Sequence, residues 1–429
     1  MIRIDRNTKN QLSYIAEAAF EYFIAILTSG VFLASILGNI GVPDSVTGII
    51  STLTSLGFSA QLVAVLFIRP RGSVKKLVTT MNVVNQLMFA VLYIIPYISV
   101  PRTVKIAVFV VMLLGGNLIS NAASPFKFTW LMSYVFDRDR GKFTANKEIV
   151  SLIGGMGFSY VMGAVIDHYK ALGKAETAFI ISGITLFVLT IIHLVSLLCV
   201  KDDEDAKTVV DKPFEKHSIG YVFGCTVLDK SFRKIILLDI IWHIGNGISV
   251  SFFGTYQINE LGFTLSYVAI LSAFQSLVRV AFSRFFGKIA DRTSWARMLM
   301  IAISVGAVGF LVNTFTAPSN GKWMFVVYGA FNAAYLAGAN SGMSNIVFDY
   351  VTKENRSYAL GVKAALGGIA GFLASLLGAW VVSFVQSHGN SVFGVTVYAQ
   401  QILSFVSFVV FVGVVVYIKF VVMKLKNLH

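Results

Sequence analysis

Two glutamates, Glu17 and Glu21, stand four residues apart in a segment that is otherwise apolar and aromatic, Ile15 to Leu27. On a helix that spacing sets both carboxylates on one face. Glu21 falls about 5 Å from the middle of the segment at 1.5 Å per residue. Removing a carboxyl group from water favours its protonated form, so such a pair suits proton uptake and release. The plainer reading of Glu17 is an interfacial, hydrated carboxylate. Arg279 lies about 6 Å from the middle of a second apolar segment. A cation there needs Glu17, Glu21 or an anionic substrate opposite it, unless it is a permanently paired scaffold residue. His243 stands beside Trp242 and three residues before Asn246. It can exchange a proton near neutral pH, or it is a hydrogen-bonded core residue. Asp239, near the end of the same segment, is read as balancing Arg233 or Lys234.

A second group is neutral. Asn117 and Asn121 share a helical face, Gln275 lies one turn before Arg279, and Asn332, Asn340 and Asn345 recur along a later segment. An indole face for a ring and amides for hydroxyls suit a neutral polyhydroxyl compound, whereas Arg279 suits a carboxylate or phosphate. The bland alternative is that amides in lipid glue helices together. Lys147, followed by Glu148, and Lys363 lie two turns inside their segments. No phosphate-binding loop, catalytic triad or metal-ligand spacing stands out, so no cofactor or metal is called for.

The elements that carry these residues follow from composition. Of 429 residues, 56% are apolar and only 13% charged. Soluble domains carry about 25% charged residues, so this chain cannot cover a water-facing surface, and a soluble enzyme is set aside. The 36 Phe exclude disorder. Cys199 and Cys225 alone make no disulfide framework. The formal charge of +14 is distributed in short runs between apolar segments. That pattern fits an anionic membrane leaflet, not a nucleic acid. The first apolar segment contains Glu17 and Glu21, unlike the core of a cleavable signal.

Twelve segments are long enough to cross a bilayer: 12–37, 44–68, 77–97, 104–134, 144–166, 178–200, 235–257, 264–286, 297–317, 323–349, 359–385 and 395–422. In hydrocarbon these must be helices, because an open strand would leave backbone groups unpaired. An even count puts both termini on one side. That side holds 26 of the 35 Lys and Arg, the opposite side five, so the termini are expected in the cytoplasm of a cell-membrane protein. The polar stretch 201–234 divides the chain into an expected amino-terminal domain, 1–200, and a carboxy-terminal domain, 235–429. The halves repeat at an offset of 216 residues. Tyr134-Val135 reads against Tyr350-Val351, Arg140 against Arg356, Lys147 against Lys363 and Gly155 against Gly371.

After the eighth segment comes Gly287-Lys288-Ile289-Ala290-Asp291-Arg292-Thr293-Ser294-Trp295-Ala296-Arg297. It resembles the Gly-x-x-x-Asp-Arg signature of the major facilitator superfamily, in the place of its second copy. The first copy is degraded: Arg69-Pro70-Arg71-Gly72-Ser73-Val74-Lys75-Lys76 has proline where aspartate is expected. Arg138-Asp139-Arg140-Gly141-Lys142 is similar to the superfamily's basic loop between helices 4 and 5. The resemblance implies an all-α integral membrane fold of two pseudo-symmetric six-helix domains rocking about a central site lined by helices 1, 4, 7 and 10. It implies that Gly287 permits close helix approach and that Asp291 and Arg292 latch one conformation. Lys147 and Lys363 then lie where an intracellular gate closes. The helix-5 Gly-Pro of drug antiporters is absent, as are the Pro-Glu-Ser and Pro-Glu-Thr loops of classical sugar porters. The Glu-x-x-Glu-Arg of peptide porters is not matched, since Glu17 and Glu21 are four apart and Tyr22 follows.

The expectation is therefore a monomeric secondary transporter in the lipid bilayer. It moves a small polar solute, sugar or glycoside ahead of organic anion or drug, with H+ or Na+ as coupling ion. A membrane-embedded lipid-modifying enzyme is the alternative of another class. It would need clustered histidine, acid and hydroxyl groups, and the six histidines are scattered.

Overall fold

The computed structural model describes residues 6–68, 73–135, 140–201, 219–351, 356–392 and 394–425. The degraded motif at 69–72, the basic loop at 136–139, most of the central stretch at 202–218 and the repeat loop at 352–355 lie outside the described residues, as do both chain ends.

The described chain is helical, apart from a ribbon pairing Ser391 with Thr396 and Val392 with Val395. The first half runs through α1 (Arg6–Leu27), α2 (Gly30–Ile40), α3 (Asp44–Gly57), α4 (Ser59–Phe67), α5 (Val74–Val91), α6 (Arg102–Met132), α7 (Arg140–Ala171) and α8 (Ala175–Cys199). A short α9 (Ile219–Cys225) precedes α10 (Lys230–Gly247), α11 (Leu265–Arg292), α12 (Trp295–Thr314), α13 (Gly321–Asn345), α14 (Arg356–Ser387) and α15 (Ala399–Phe420). Each of the twelve expected segments overlies one of these helices or a broken pair. Among the described residues, nine helices are long and apolar enough to cross a membrane, or ten when α1 and α2 count as one span.

Local chemistry sets the boundaries. Asp229 caps α10 by accepting from the backbone N–H groups of Ser231 and Phe232, and Ser294 caps α12 through Arg297 N–H. The first span is broken with a bend of 40°. There Thr28 Oγ1 and Ser29 Oγ donate to the carbonyls of Ile24 and Ala25, and Gly30 takes a φ of +54°. These hydroxyls compete with the helix ladder, and glycine resumes it at a new angle. On α8 the residues left outside are Ile180, Ile184, Phe187, Val188, Ile191, Val195 and Leu198, an apolar stripe suited to lipid rather than water.

The chain forms two compact units. Unit 1 comprises residues 1–41, 60–216 and 264–269, and unit 2 comprises 42–59, 217–263 and 270–429. In unit 1, α1 packs on α7 and α8, and α5 packs on α6 and α8. In unit 2, α10 packs on α14 and α15, α12 packs on α13 and α15, and α3 packs on α14. The sequence repeat has a structural counterpart. Both α7 and α14 are 32 residues long. Gly155 of α7 meets Tyr22 and Ile26 on α1, and Gly371 of α14 meets His243 on α10. Thus the first helix of each half packs on the equivalent glycine of its fifth.

Candidate functional site

In unit 1, four helices bring ionisable and polar side chains together. Lys127, from α6, places Nζ 2.9 Å from Glu17 Oε1 and 2.6 Å from each Glu21 carboxylate oxygen. His193, from α8, lies between Glu17 Oε1 at 3.1 Å and the Gln86 amide of α5 at 2.8 Å. Glu17 is 1% exposed, whereas the Glu21 side chain is 35% exposed. The i, i+4 spacing on α1 lets both carboxylates reach one ammonium. With His193 neutral, two carboxylates against one lysine leave one negative charge in excess. Arg279 was the expected partner of Glu21, and Lys127 takes that place. Lys127 is one of the basic residues inside the expected spans. Nothing local marks it, because its partners stand more than a hundred residues away in sequence.

Unit 2 carries a second buried group. Lys363 Nζ lies 2.5 Å from Asp239 Oδ1. His243 Nδ1 lies 2.9 Å from the Asp239 carbonyl and 3.3 Å from its carboxylate. With two oxygens around it, Nδ1 is placed to donate. Gly367 makes room for this group, since a side chain there would overlap Asp239 and His243. Asp239 therefore does not balance Arg233 or Lys234. It is 1% exposed and turned toward α14, where Lys363 supplies its counter-charge. One positive and one negative charge balance here, unlike in unit 1.

One turn along α10, Trp242 Nε1 donates to the Tyr335 hydroxyl at 2.5 Å, and Asn246 Nδ2 donates to the same oxygen at 3.2 Å. Tyr335 is fully buried, while Trp242 and Asn246 are half-buried. The tyrosine thus fixes an indole face and an amide that remain partly open. Sequence reading named the tryptophan and the asparagine but not Tyr335, which is one more aromatic residue in a helix full of them.

The other expected residues are placed less alike. Asn117 Nδ2 donates to its own helix at Leu113, and Asn121 accepts from Gln61 of α4 at 2.9 Å. Gln275 is half-buried against Gly329, which joins α11 to α13. Asn340 and Arg279 are exposed, and among the described residues no ion pair involves Arg279. Gly287 faces open space, so it does not serve close helix approach. Asp291 and Arg292 are exposed in the last turn of α11. Asp291 ends one helix instead of capping the next, and Ser294 has that role. Lys147 lies 5.0 Å from the centre of the Tyr14 ring.

The Major Facilitator Superfamily model matches residues 16–331. No curated protein matches the sequence. Among solved structures, an alanine mutant of the nucleoside transporter NupG aligns with a TM-score of 0.73 and 13% identity, over 96% of this chain and 99% of that one. An auto-inhibited POT family peptide transporter gives 0.70 at 11% identity, covering 98% of each chain. A D-xylose-proton symporter gives 0.65 at 12% identity, covering 94% and 96%. With more than half of its length under that model and this helical architecture throughout, the chain belongs to the major facilitator superfamily and is a multi-pass membrane transporter rather than an enzyme.

Proposed function

We propose that this transporter moves a neutral ring compound rich in hydroxyls, of the sugar or glycoside class, by alternating access driven by protons. Neighbours of the same fold carry nucleosides, D-xylose and peptides, so fold leaves the substrate open and the polar side chains must decide it. The observation that carries the reading is the Trp242–Tyr335–Asn246 group. It offers an aromatic face beside an amide whose orientation is already set, which lowers the ordering cost of binding. Gln275 adds a second amide. The excess negative charge around Lys127 supports cation coupling. The cluster takes up one cation for that charge; Glu21 is its most exposed member, and Glu17 lies buried between Lys127 and His193.

The protein works as a monomer in the cell membrane, with both termini and the 201–234 stretch cytoplasmic and six-helix domains at 1–200 and 235–429. Asp291 and Arg292 act as the latch between its states. Asp291→Asn should slow transport at unchanged membrane level, and unaltered rates would leave that loop a topological feature only. Lys147 and Lys363 close the cytoplasmic side.

The deciding experiment is uptake by proteoliposomes of labelled sugars, nucleosides, dipeptides and organic acids, with and without an inward proton or sodium gradient. Uptake of a sugar or nucleoside stimulated by the proton gradient, and lost in Trp242→Ala, is the expected result. Uptake confined to organic acids would favour a second reading, in which Arg279, exposed and without an ion partner among the described residues, holds the anion.

A further inference from the structure

Helix α5 holds an unusual set of buried acceptors. Four buried side-chain oxygens on this helix have no hydrogen-bond partner among the described residues: Thr79 Oγ1, Asn82 Oδ1, Asn85 Oδ1 and Gln86 Oε1. Asn82, Asn85 and Gln86 are at most 2% exposed. Asn82 Nδ2 already donates to Val78 O, and Gln86 Nε2 already faces His193, so the orphaned atoms are the carbonyl oxygens. With 3.6 residues per turn, the four positions share about one third of the helix circumference. Thr79 to Gln86 covers about 10 Å of axis, and Thr79 lies about 8 Å from the helix start. That start is wet: Ser73 caps it and Lys76 is exposed. Beyond Gln86 the stripe turns apolar, at Phe89 and then Tyr93, both buried. The polar line therefore runs inward from one end only and stops at His193.

Buried acceptors in native proteins are satisfied by protein or by ordered water. Lipid offers no donor, and an internal water makes two to four hydrogen bonds. We propose that the Thr79–Asn82–Asn85–Gln86 stripe binds a chain of internal water molecules that delivers protons to His193, a route buried inside unit 1. The proton role rests on the proton-coupled reading above; the water chain does not.

The proton balance is simple. Gln86 Nε2–H donates to His193 Nδ1, so Nδ1 holds the lone pair and Nε2–H donates to Glu17. A proton arriving from water binds Nδ1. The Gln86 amide then turns over, so that Oε1, at present without a protein partner, accepts the new Nδ1–H. One O–H bond of the donating water breaks as N–H forms, and that water re-forms its O–H with a proton from the next water outward. The imidazolium faces Glu17 from α1, with Lys127 of α6 and Glu21 behind that carboxylate. Among the described residues α5 presents the Gln86 amide to it, and α7 places Lys147 over the Tyr14 ring. Glu17 thus keeps a cation on either side, and the excess negative charge of the cluster is neutralised.

X-ray radiolytic footprinting of the full-length protein in nanodiscs tests the water chain without reference to transport. Radicals generated from bound water should label His193 and Phe89 at rates typical of exposed residues, despite their burial. Asn82→Leu and Gln86→Leu should reduce that labelling several-fold, while Asn82→Ser, which keeps a hydroxyl, should preserve it. Background-level labelling of both residues in the unmodified chain overturns the proposal, independently of how any variant folds. In proteoliposomes, Asn82→Leu should slow proton-driven uptake about tenfold and leave solute exchange unchanged, with Asn82→Ser close to the parent. Equal driven uptake in Asn82→Leu overturns proton delivery. If the parent ignores the proton gradient, the coupling reading and proton delivery fall together, and footprinting still decides the water chain.

Discussion

Lys127 is central to the electrostatics of this cluster, because one ammonium faces two carboxylates. Removing one partner of a buried ion pair typically costs about 3–5 kcal/mol, since the remaining charge is left uncompensated. Lys127→Ala should therefore melt well below the parent in detergent, and adding Glu21→Gln should recover part of the loss by removing one orphan charge. Melting followed by intrinsic fluorescence checks this, and a Lys127→Ala protein as stable as the parent would mean the group is hydrated. Glu21→Gln alone should abolish proton-driven accumulation yet keep counterflow, which needs no net proton movement. Normal accumulation in Glu21→Gln would move coupling elsewhere, with His243 next to test. Glu17, Glu21 and His243 were legible in the sequence because ionisable residues in apolar segments are rare and costly. Lys127, His193 and Gln86 were not, since their meaning lies in partners on other helices. Arg279 was legible as a residue, but a buried charge pair for it was an inference that only coordinates could correct.

At the scale of elements, apolar length and loop chemistry placed a helix or a broken pair at each expected segment, and nine of the described helices, or ten with the bent pair, are long and apolar enough to cross. What they hid was the break at Thr28–Ser29–Gly30, because hydroxyl-to-carbonyl competition leaves hydropathy unchanged. Glycines show the same limit. Gly287, inside the family motif, faces open space, whereas Gly247, which no motif marks, lies directly against the backbone of Gly371 where α10 crosses α14. Gly287→Ala should thus leave folding and uptake near parental values. Gly247→Val has no flexible neighbour to displace and should abolish folded protein, as read by size-exclusion chromatography of the detergent extract. The reverse outcome would mean that the motif glycine is a packing residue and the α10–α14 crossing is loose.

For the whole molecule, the charge split predicts an orientation that labelling can test. It predicts sides without any knowledge of packing. Single cysteines at Lys174 and Lys322 should react with an impermeant maleimide added to intact cells, and one at Lys230 only after permeabilisation. The opposite pattern would invert the protein in the membrane. The 216-residue repeat was legible from a few loop residues, and its structural counterpart is the glycine crossing of first and fifth helices in both halves. Its chemistry was not, because Lys147 and Lys363 share a repeat position yet one lies over an aromatic ring and the other neutralises Asp239. The amide stripe of α5 bears on the making of the protein as well as on its working. That helix is not among those apolar enough to qualify as spans by themselves, and polar side chains at a segment's centre disfavour release from the translocon into lipid. During synthesis α5 should therefore wait in the insertion channel until α6 emerges and covers it. In a glycosylation-mapping assay on microsomes, α5 alone should pass largely into the lumen, and the α5–α6 hairpin should integrate; efficient integration of α5 alone would show that the stripe imposes no such delay.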